Sequence, residues 1–359
     1  MLNFKYKKFS AFQIKAKFSF CSNQLPMNNK MRFVNLCKEQ NKLFMDECEI
    51  PSQKKENRLI KVASFGINRA ELMIRAGKYP LPKNFSSING LEAAGYLVDL
   101  DGTITDQRVM AITEGGSYAE YVQVHQSHLM PVPENVDMRV AGAIPEVFLT
   151  AFQLLRYVKK SDNLFPEANV LVHGAASGVG TTLIQMLNKI YKANSIALCG
   201  SENKVAILKD LGAGLVVLRT KENKNDIIKD YLGGLPNRKL NAVLDHVGKA
   251  EFHNNLHLLG ADGTFVNYSA LSGPKVENVD LREMLSKRVS LFFTTLAARS
   301  TDYKAQLVKE LNEEVTEYLR REEMKVVVHK RFNFDAESVQ QAHDMMMRNE
   351  NTGKLVINI

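Results

Sequence analysis

The 359-residue chain is poor in cysteine, with four in all, and Cys21, Cys37, Cys48 and Cys199 form no C-x-x-C pair and no regular framework. That spacing excludes a disulfide scaffold and suits free thiols in a reducing compartment. No apolar run approaches the roughly 18 residues that a membrane helix requires. No Asp or Glu occurs before Glu39, while Lys5, Lys7, Lys8, Lys15, Lys17, Lys30, Arg32 and Lys38 all do. These eight account for the whole formal charge of +8, so the rest of the chain is neutral by count. Nucleic-acid binding needs cationic charge clustered on the folded body, and here the body has none in excess. Internal repeats and low-complexity segments are also missing.

What is present is an ordinary globular composition, 45% hydrophobic and 24% charged, at a length that suits two domains. Residues 1–30 read as an extension. Their acid-free, Lys- and Ser-bearing character suits a mitochondrial presequence, but FQIKAKFSF alternates with period two and presents no helical face. A presequence, a disordered extension and a mis-assigned start codon all stay open, and Met31 is the expected start of the folded part. The expected location is cytoplasmic, or mitochondrial if the extension is a presequence.

From about residue 31 to 135, RLIKVASFGIN, AAGYLVDLDG, RVMAI and YAEYVQV predict short strands separated by turn residues. DMRVAGAIPEVFLTAFQLLRYV is helical apart from a break at Pro145. From 169 the pattern changes to strand–helix alternation. NVLVHGA, SIALCGS, LVVLR, LNAVLDHVG, GTFVNYSA and SLFFTTLA are strands, with helical runs between them, which predicts a doubly wound parallel sheet. A charged helix, a VVVH strand, the run FNFDAESVQQAHDMMM and a final KLVINI strand follow. The fold class is therefore α/β, with a mixed β domain interrupted by the parallel-sheet unit. The expected boundaries are 31–152 plus 297–359 for the first domain and 153–296 for the second.

HGAASGVG, residues 173–180, joins the first alternating strand to its helix. Such a junction offers free backbone amides and the positive end of a helix, which suits a pyrophosphate. It is not a clean G-x-G-x-x-G, since Ala175 and Ser177 hold the first two glycine positions; Gly178 and Gly180 permit close approach, with Val179 between them. At the tip of the second strand, where NAD enzymes place a carboxylate for the ribose, stand Cys199, Gly200 and Ser201. Ser201, Lys204 and Arg219 around that corner favour the 2′-phosphate of NADPH; the alternative is that both cations are solvated surface charges. Glu202 is the residue that would favour NADH.

Several segments, GINRAELMIRAGKYP (66–80), GLEAAG (90–95), GGSYAEYV (115–122), AIPEVFLTAFQLL (143–155), SGVG (177–180) and TGKLV (352–356), occur in order and at family spacing. Through them the chain resembles the zinc-independent quinone oxidoreductases of the medium-chain dehydrogenase/reductase superfamily. The likeness is greatest to their zeta-crystallin-like, tumour-suppressor-inducible branch. It covers about residues 31–359 and implies a GroES-like domain with a Rossmann domain. Three departures stand out: Asp106-Gln107 replaces a Gly-Asp pair, Arg219 replaces a phosphate-holding tyrosine, and His246 replaces a small residue.

The resemblance implies that Asn68 and Tyr79 face the acceptor and that Asn68 and Thr150 reach the cofactor. It also implies cofactor contacts from Ser177, Gly178, Val179, Gly180, Tyr268, Phe293 and Lys354. For Asn68 a purely backbone-satisfying role, and for Tyr79 a mere pocket wall, stay open. Zinc relatives carry a cysteine where this chain has Asn68, and Gly-His-Glu where it has Gly90-Leu91-Glu92; their four-cysteine lobe is missing. No metal is therefore expected, and His125, His128, His253 and His257 read as surface histidines. The implied activity is metal-free hydride transfer from NADPH to a quinone or other conjugated carbonyl. An enoyl-thioester reductase and a non-enzymatic dinucleotide-holding protein are the alternatives. The resemblance further implies a homodimer through SLFFTTLA, with a small-molecule substrate and no nucleic-acid or membrane partner.

Overall fold

The computed structural model describes residues 24–37, 39–79, 81–82, 85–161 and 166–359. The basic residues 1–23, Cys21 among them, lie outside the described residues. Cys37, Cys48 and Cys199 are free thiols. Ordered contacts begin before Met31: Gln24 bridges Thr103, and the Leu25 amide donates to the Gly102 carbonyl at 3.1 Å.

Two strands, β1 (Lys30–Cys37) and β2 (Lys42–Glu49), form an antiparallel hairpin that the sequence patterning did not single out. The next strand, β3 (Asn57–Ile67), buries Leu59, Ile60, Val62, Phe65 and Ile67. Against it and beyond it lie β4 (Glu92–Val98), β5 (Ile104–Ile112), β6 (Tyr121–His125) and β7 (Leu129–Pro131). The short helix α1 (Arg69–Arg75) leaves β3 directly, and Glu71 closes its first turn by accepting the Asn68 amide at 2.7 Å.

Asp137 caps α2 (Met138–Ala141). Pro145 then starts α3 (Pro145–Lys160), where its missing N–H costs nothing. Most of α3 is buried, with Val147, Phe148, Leu149, Phe152 and Leu155 among its enclosed apolar side chains. The apolar side of α3 sits in a continuous core with Met110 and Ile112 of β5 and with Val170 and Leu244 of the second sheet, while Glu146 and Thr150 lie on its other side.

That sheet contains β8 (Asn169–Val172), β9 (Asn194–Cys199), β10 (Leu215–Leu218), β11 (Ala242–Asp245), β12 (Thr264–Asn267) and β13 (Ser290–Phe293). Between them run α4 (Gly178–Met186), α5 (Val205–Asp210), α6 (Lys224–Gly233), α7 (Phe252–Leu258) and α8 (Leu281–Lys287). All strand pairs are parallel, in the order β10-β9-β8-β11-β12-β13. This is the Rossmann arrangement, and the strand order reverses between β8 and β11, where ligands bind in such sheets. The central strands β8, β11 and β12 are buried at every residue and read as short, mainly apolar runs, which is why they were visible in the sequence.

After α9 (Thr301–Glu314) and α10 (Thr316–Arg320) the chain returns to the first sheet. There β14 (Val328–Asn333), α11 (Ala336–Met347) and β15 (Lys354–Asn358) follow, with β15 antiparallel to β3 and parallel to β14. The β14 strand starts at the last valine of VVVH and takes in FN of the following run. The fold is thus a GroES-like mixed β domain with a Rossmann domain.

At the β8–α4 junction Gly174 has a left-handed φ of 54°, and Gly180 lies against backbone. A Cβ on Gly180 would stand 2.5 Å from the carbonyl oxygens of Gly174 and Ala175, so the turn must shift to admit one. Gly180→Ala is expected to cost about 1–3 kcal/mol and to lower Tm by several degrees. Calorimetry giving the wild-type Tm would show that the turn yields freely.

Candidate active site

Ser177 is the N-cap of α4, and its Oγ accepts the Gly180 amide at 3.0 Å. The hydroxyl is therefore spent as an acceptor on the helix, and what the turn offers an anion is its first-turn amides at Gly178 and Val179. The His173 ring is turned inward, with Nε2 2.7 Å from Asn255 Oδ1. The turn is tied to the C-terminus by the Gly353 amide, which donates to the Ala176 carbonyl at 2.8 Å. Only a glycine at 178 leaves room there, because a Cβ would come 2.7 Å from Cδ of Lys354 and 2.9 Å from Cγ1 of Val147.

Beside this turn lies a buried polar cluster. Nζ of Lys354 donates to the Ile67 carbonyl (2.7 Å) and Asn68 Oδ1 (2.6 Å), and it pairs with Glu92 Oε1 (2.7 Å). Its three donors are all committed within the protein, so what Lys354 presents to a ligand is its alkyl stem. The Asn68 amide nitrogen donates to Glu92 Oε1 at 2.9 Å and to Glu71 Oε1 at 3.3 Å. Glu92 is completely buried, and its Oε2 accepts the Glu146 amide at 2.9 Å, which fixes the start of α3. Asn68 thus bridges Lys354 and two carboxylates, and its side chain is fully employed in that bridge.

The cluster continues outward through Glu71. Tyr118 donates to Glu71 Oε2 at 2.7 Å and touches His343 Nε2 at 2.8 Å, while Arg75 lies 3.4 Å from His343 Nδ1. Burial raises the Glu71 carboxyl to about 7 despite the Tyr118 bond and Lys354. Burial, aided by Arg75, drops His343 to about 3, so this ring is neutral.

Tyr79 and Thr150 are half-buried. Burial, then the Glu146 carboxyl, pushes the Tyr79 phenol up to about 12, so it stays a hydrogen-bond donor at neutral pH. Glu146 precedes Thr150 by one turn of α3, which places both on one face of the helix. Its carboxyl is raised to about 8, by burial first and then by Glu92. On the Rossmann side His246 leans over the turn, where a Cβ on Gly174 would collide with its ring, and its Nδ1 is 3.4 Å from the Tyr268 hydroxyl. Burial lowers His246 to about 3 and raises the Tyr268 phenol.

The corner beyond β9 sorts the two cations. Arg219 is exposed, its guanidinium lies over Gly200, and it has no side-chain partner among the described residues. Lys204 is buried, and its ammonium donates to the carbonyls of Asn349 (2.7 Å) and Asn351 (3.0 Å). It is neither a solvated surface charge nor free to meet a phosphate. Ser201 donates to Asn203 Oδ1 at 2.6 Å. Phe293 is 64% exposed at the end of the edge strand β13. His128 corrects the surface reading: it is 2% exposed, with Nε2 3.3 Å from the Thr301 carbonyl, and burial lowers it to about 4. Among the described residues no three His, Cys, Asp or Glu side chains are grouped to hold a metal ion. Glu71, Glu92 and Glu146 were visible in the sequence only as letters of family-like segments, because nothing in their spacing signals burial.

Residues 54–134 match the alcohol dehydrogenase GroES-like domain and residues 178–318 the zinc-binding dehydrogenase domain. A probable quinone oxidoreductase of Schizosaccharomyces pombe is 29% identical, over 86% of this chain and 91% of its own length. A quinone oxidoreductase-like protein 2 homolog of Nematostella vectensis is 25% identical, over 93% of this chain and 90% of its own. Among solved structures, the Escherichia coli quinone oxidoreductase complexed with NADPH superposes with a TM-score of 0.77 at 23% identity, covering 92% of this chain and 99% of that one. The chain belongs to the medium-chain dehydrogenase/reductase superfamily of oxidoreductases, in its quinone oxidoreductase branch.

Removing one partner of a buried pair strands the other charge, at a cost of about 3–5 kcal/mol. Lys354→Met is expected to destabilise by that order, and adding Glu92→Gln to recover a good part of the loss. Denaturant titration of the single and double variants checks this; strictly additive losses would mean that the pair is not coupled.

Proposed function

We propose that the protein reduces a quinone or other conjugated carbonyl with NADPH, without a metal. The observation that carries this reading is the closed Asn68–Glu92–Lys354 cluster beside the β8–α4 turn. Its polar groups satisfy one another, so it offers no vacant ligand set, and the nearby acceptor-facing groups are a neutral phenol and a carboxyl. A site of this kind suits an acceptor that is already electrophilic. NADPH, when bound, supplies the hydride.

The residues present fit that cofactor. Gly178 and Val179 offer amides to the pyrophosphate at the positive end of α4. Exposed, and without a side-chain partner among the described residues, Arg219 suits a 2′-phosphate, and the Ser201 hydroxyl lies at the same corner. On α3, Thr150 stands one turn from Glu146 and takes the nicotinamide end. Tyr79 donates to the acceptor's carbonyl oxygen, where negative charge develops. Asn68 acts by holding Glu92 and Lys354 in place.

The direct test is turnover of NADPH with a simple quinone and with a conjugated enone, on chelator-treated protein. Retained activity is expected; stoichiometric zinc in the purified protein, with activity lost on its removal, would refute the metal-free reading. Activity confined to acyl thioesters would move the assignment to the enoyl-thioester reductases. No turnover alongside tight NADPH binding would favour a dinucleotide-holding protein.

Cofactor choice is tested at the corner. A charge-assisted hydrogen bond contributes about 1.5–3 kcal/mol, and exposure puts Arg219 at the low end, about tenfold in affinity. Arg219→Ala should weaken NADPH by that factor and leave NADH unchanged. Lys204→Ala should instead strand two carbonyls and weaken both cofactors alike. Fluorescence titration distinguishes the two, and an equal loss for both cofactors in Arg219→Ala would remove Arg219 from the phosphate site.

A further inference from the structure

The geometry points to Glu146 as the acid that delivers the proton accompanying hydride transfer, a role that rests on the reductase reading above. Three observations carry it. First, Glu146 stands in the opening turn of α3, its amide held by Glu92 Oε2 at 2.9 Å, which fixes its backbone beside the Asn68–Glu92–Lys354 cluster, and its carboxyl feels the charges of Glu92 and Lys354. Secondly, that carboxyl makes no hydrogen bond among the described residues, although the carboxylates around it are bonded: Glu71, Glu92 and Glu114 each accept from a named donor. Thirdly, it lines a small cavity with Leu91, Glu114, His128, Leu296 and Lys304. The void at its centre is about the size of one water molecule.

The cavity gives the carboxyl a way to recover its proton. Lys304 is buried and pairs with Glu114 at 2.9 Å, and the Glu114 side chain is 37% exposed, so the cavity wall reaches solvent there. His128, neutral through burial, adds a ring to the same wall. A proton entering beside Glu114 crosses the cavity through one water to Glu146.

The charged and titratable groups facing Glu146 come from every element around it. Burial acts first to favour its protonated form, and Glu92 of β4 and Glu71 of α1 act in the same direction. Lys354 of β15 and Lys304 of α9 oppose them, and the balance leaves the carboxyl raised to about 8. Tyr79, itself raised, is neutral beside it. At pH 7 Glu146 therefore holds a proton that it can release.

The step balances as follows. For a conjugated enone, hydride forms the new C–H bond at the β-carbon, and the displaced π pair becomes an enolate whose oxygen Tyr79 meets. The Glu146 O–H bond then breaks and its proton forms the C–H bond at the α-carbon. For a quinone, hydride forms one O–H bond at a carbonyl oxygen, the displaced pair leaves the other oxygen as a phenolate, and the Glu146 proton forms the second O–H bond of the hydroquinone. The acceptor gains two electrons and two hydrogens, the nicotinamide leaves oxidised, and the Glu146 carboxylate is reprotonated from solvent.

The test uses the full chain and the variants Glu146→Gln and Glu146→Asp, with three readouts. The wild-type kcat at saturating NADPH should fall as pH rises through about 8. In Glu146→Gln, kcat should drop by about 10²–10⁴ and lose that alkaline limb, while NADPH affinity by fluorescence stays unchanged. Glu146→Asp keeps an acid and should recover part of the rate. Independently of turnover, infrared difference spectra should show a protonated-carboxyl band that titrates near pH 8 and is missing from Glu146→Gln. A Gln variant with the wild-type kcat and pH profile, or a wild type without the band at neutral pH, overturns the proposal. A wild type that turns over no quinone or enone overturns the reductase reading and the acid role with it, whatever the infrared band shows.

Discussion

Nearly everything at this site depends on one buried ion pair, Lys354 with Glu92. The pair joins the last strand of the chain to β4, which lies more than 250 residues earlier. Its ammonium also holds the end of β3 through the Ile67 carbonyl and the start of α1 through Asn68. Its stem passes over Gly178 at the head of α4, and Glu92 anchors the first amide turn of α3. Such a pair is weak evidence for net stability, since desolvation offsets much of the attraction. Its effect is one of position: α3, the β8–α4 turn and the C-terminal strand cannot shift separately without leaving a buried charge unmatched.

The same pair explains why the site reads as closed. An asparagine in place of a ligand thiol has both of its polar atoms taken, one by Lys354 and the other by the two carboxylates. Polar networks in a low dielectric are stable when every member is satisfied and costly when one is not. The network from Lys354 to His343 meets that condition, and Gly178 lets the β8–α4 turn pack against the Lys354 stem without disturbing it.

Much of this was legible in the sequence, and for a physical reason. Parallel strands buried on both faces must be apolar throughout, and glycine at a strand–helix turn marks a close backbone approach, so the Rossmann half announced itself. Roles that depend on burial were not legible. Lys204 and Arg219 look alike in sequence, yet one is drawn inward by the carbonyls of residues 349 and 351 and the other stays exposed. His128 looked like a surface residue because a lone histidine carries no mark of what packs over it, here α9. The β1–β2 hairpin escaped because charged and polar residues interrupt its alternation, as in KLFMDECE. Glu146 escaped because only the fold brings Glu92 and the cavity wall up to it.

Burial also governs which groups around the Asn68–Glu92–Lys354 cluster and the β8–α4 turn carry charge. Burial lowers His128 to about 4, His246 to about 3 and His343 to about 3, and it raises Tyr79 to about 12 and Glu146 to about 8. Every one of these groups is therefore neutral at pH 7, because desolvation penalises whichever form is charged. Lys354 pairs with Glu92 and Lys304 with Glu114, while Glu71, raised to about 7, is held by the Tyr118 hydroxyl. On the reductase reading, a neutral acceptor enters such a site without losing strong solvation, and the first unpaired charge to appear is the one that hydride transfer creates. Tyr79 can share that charge through a hydrogen bond but, with a phenol this weakly acidic, is poorly suited to neutralise it. A carboxyl already holding a proton beside it can, which is why the chemistry of the pocket leads to Glu146.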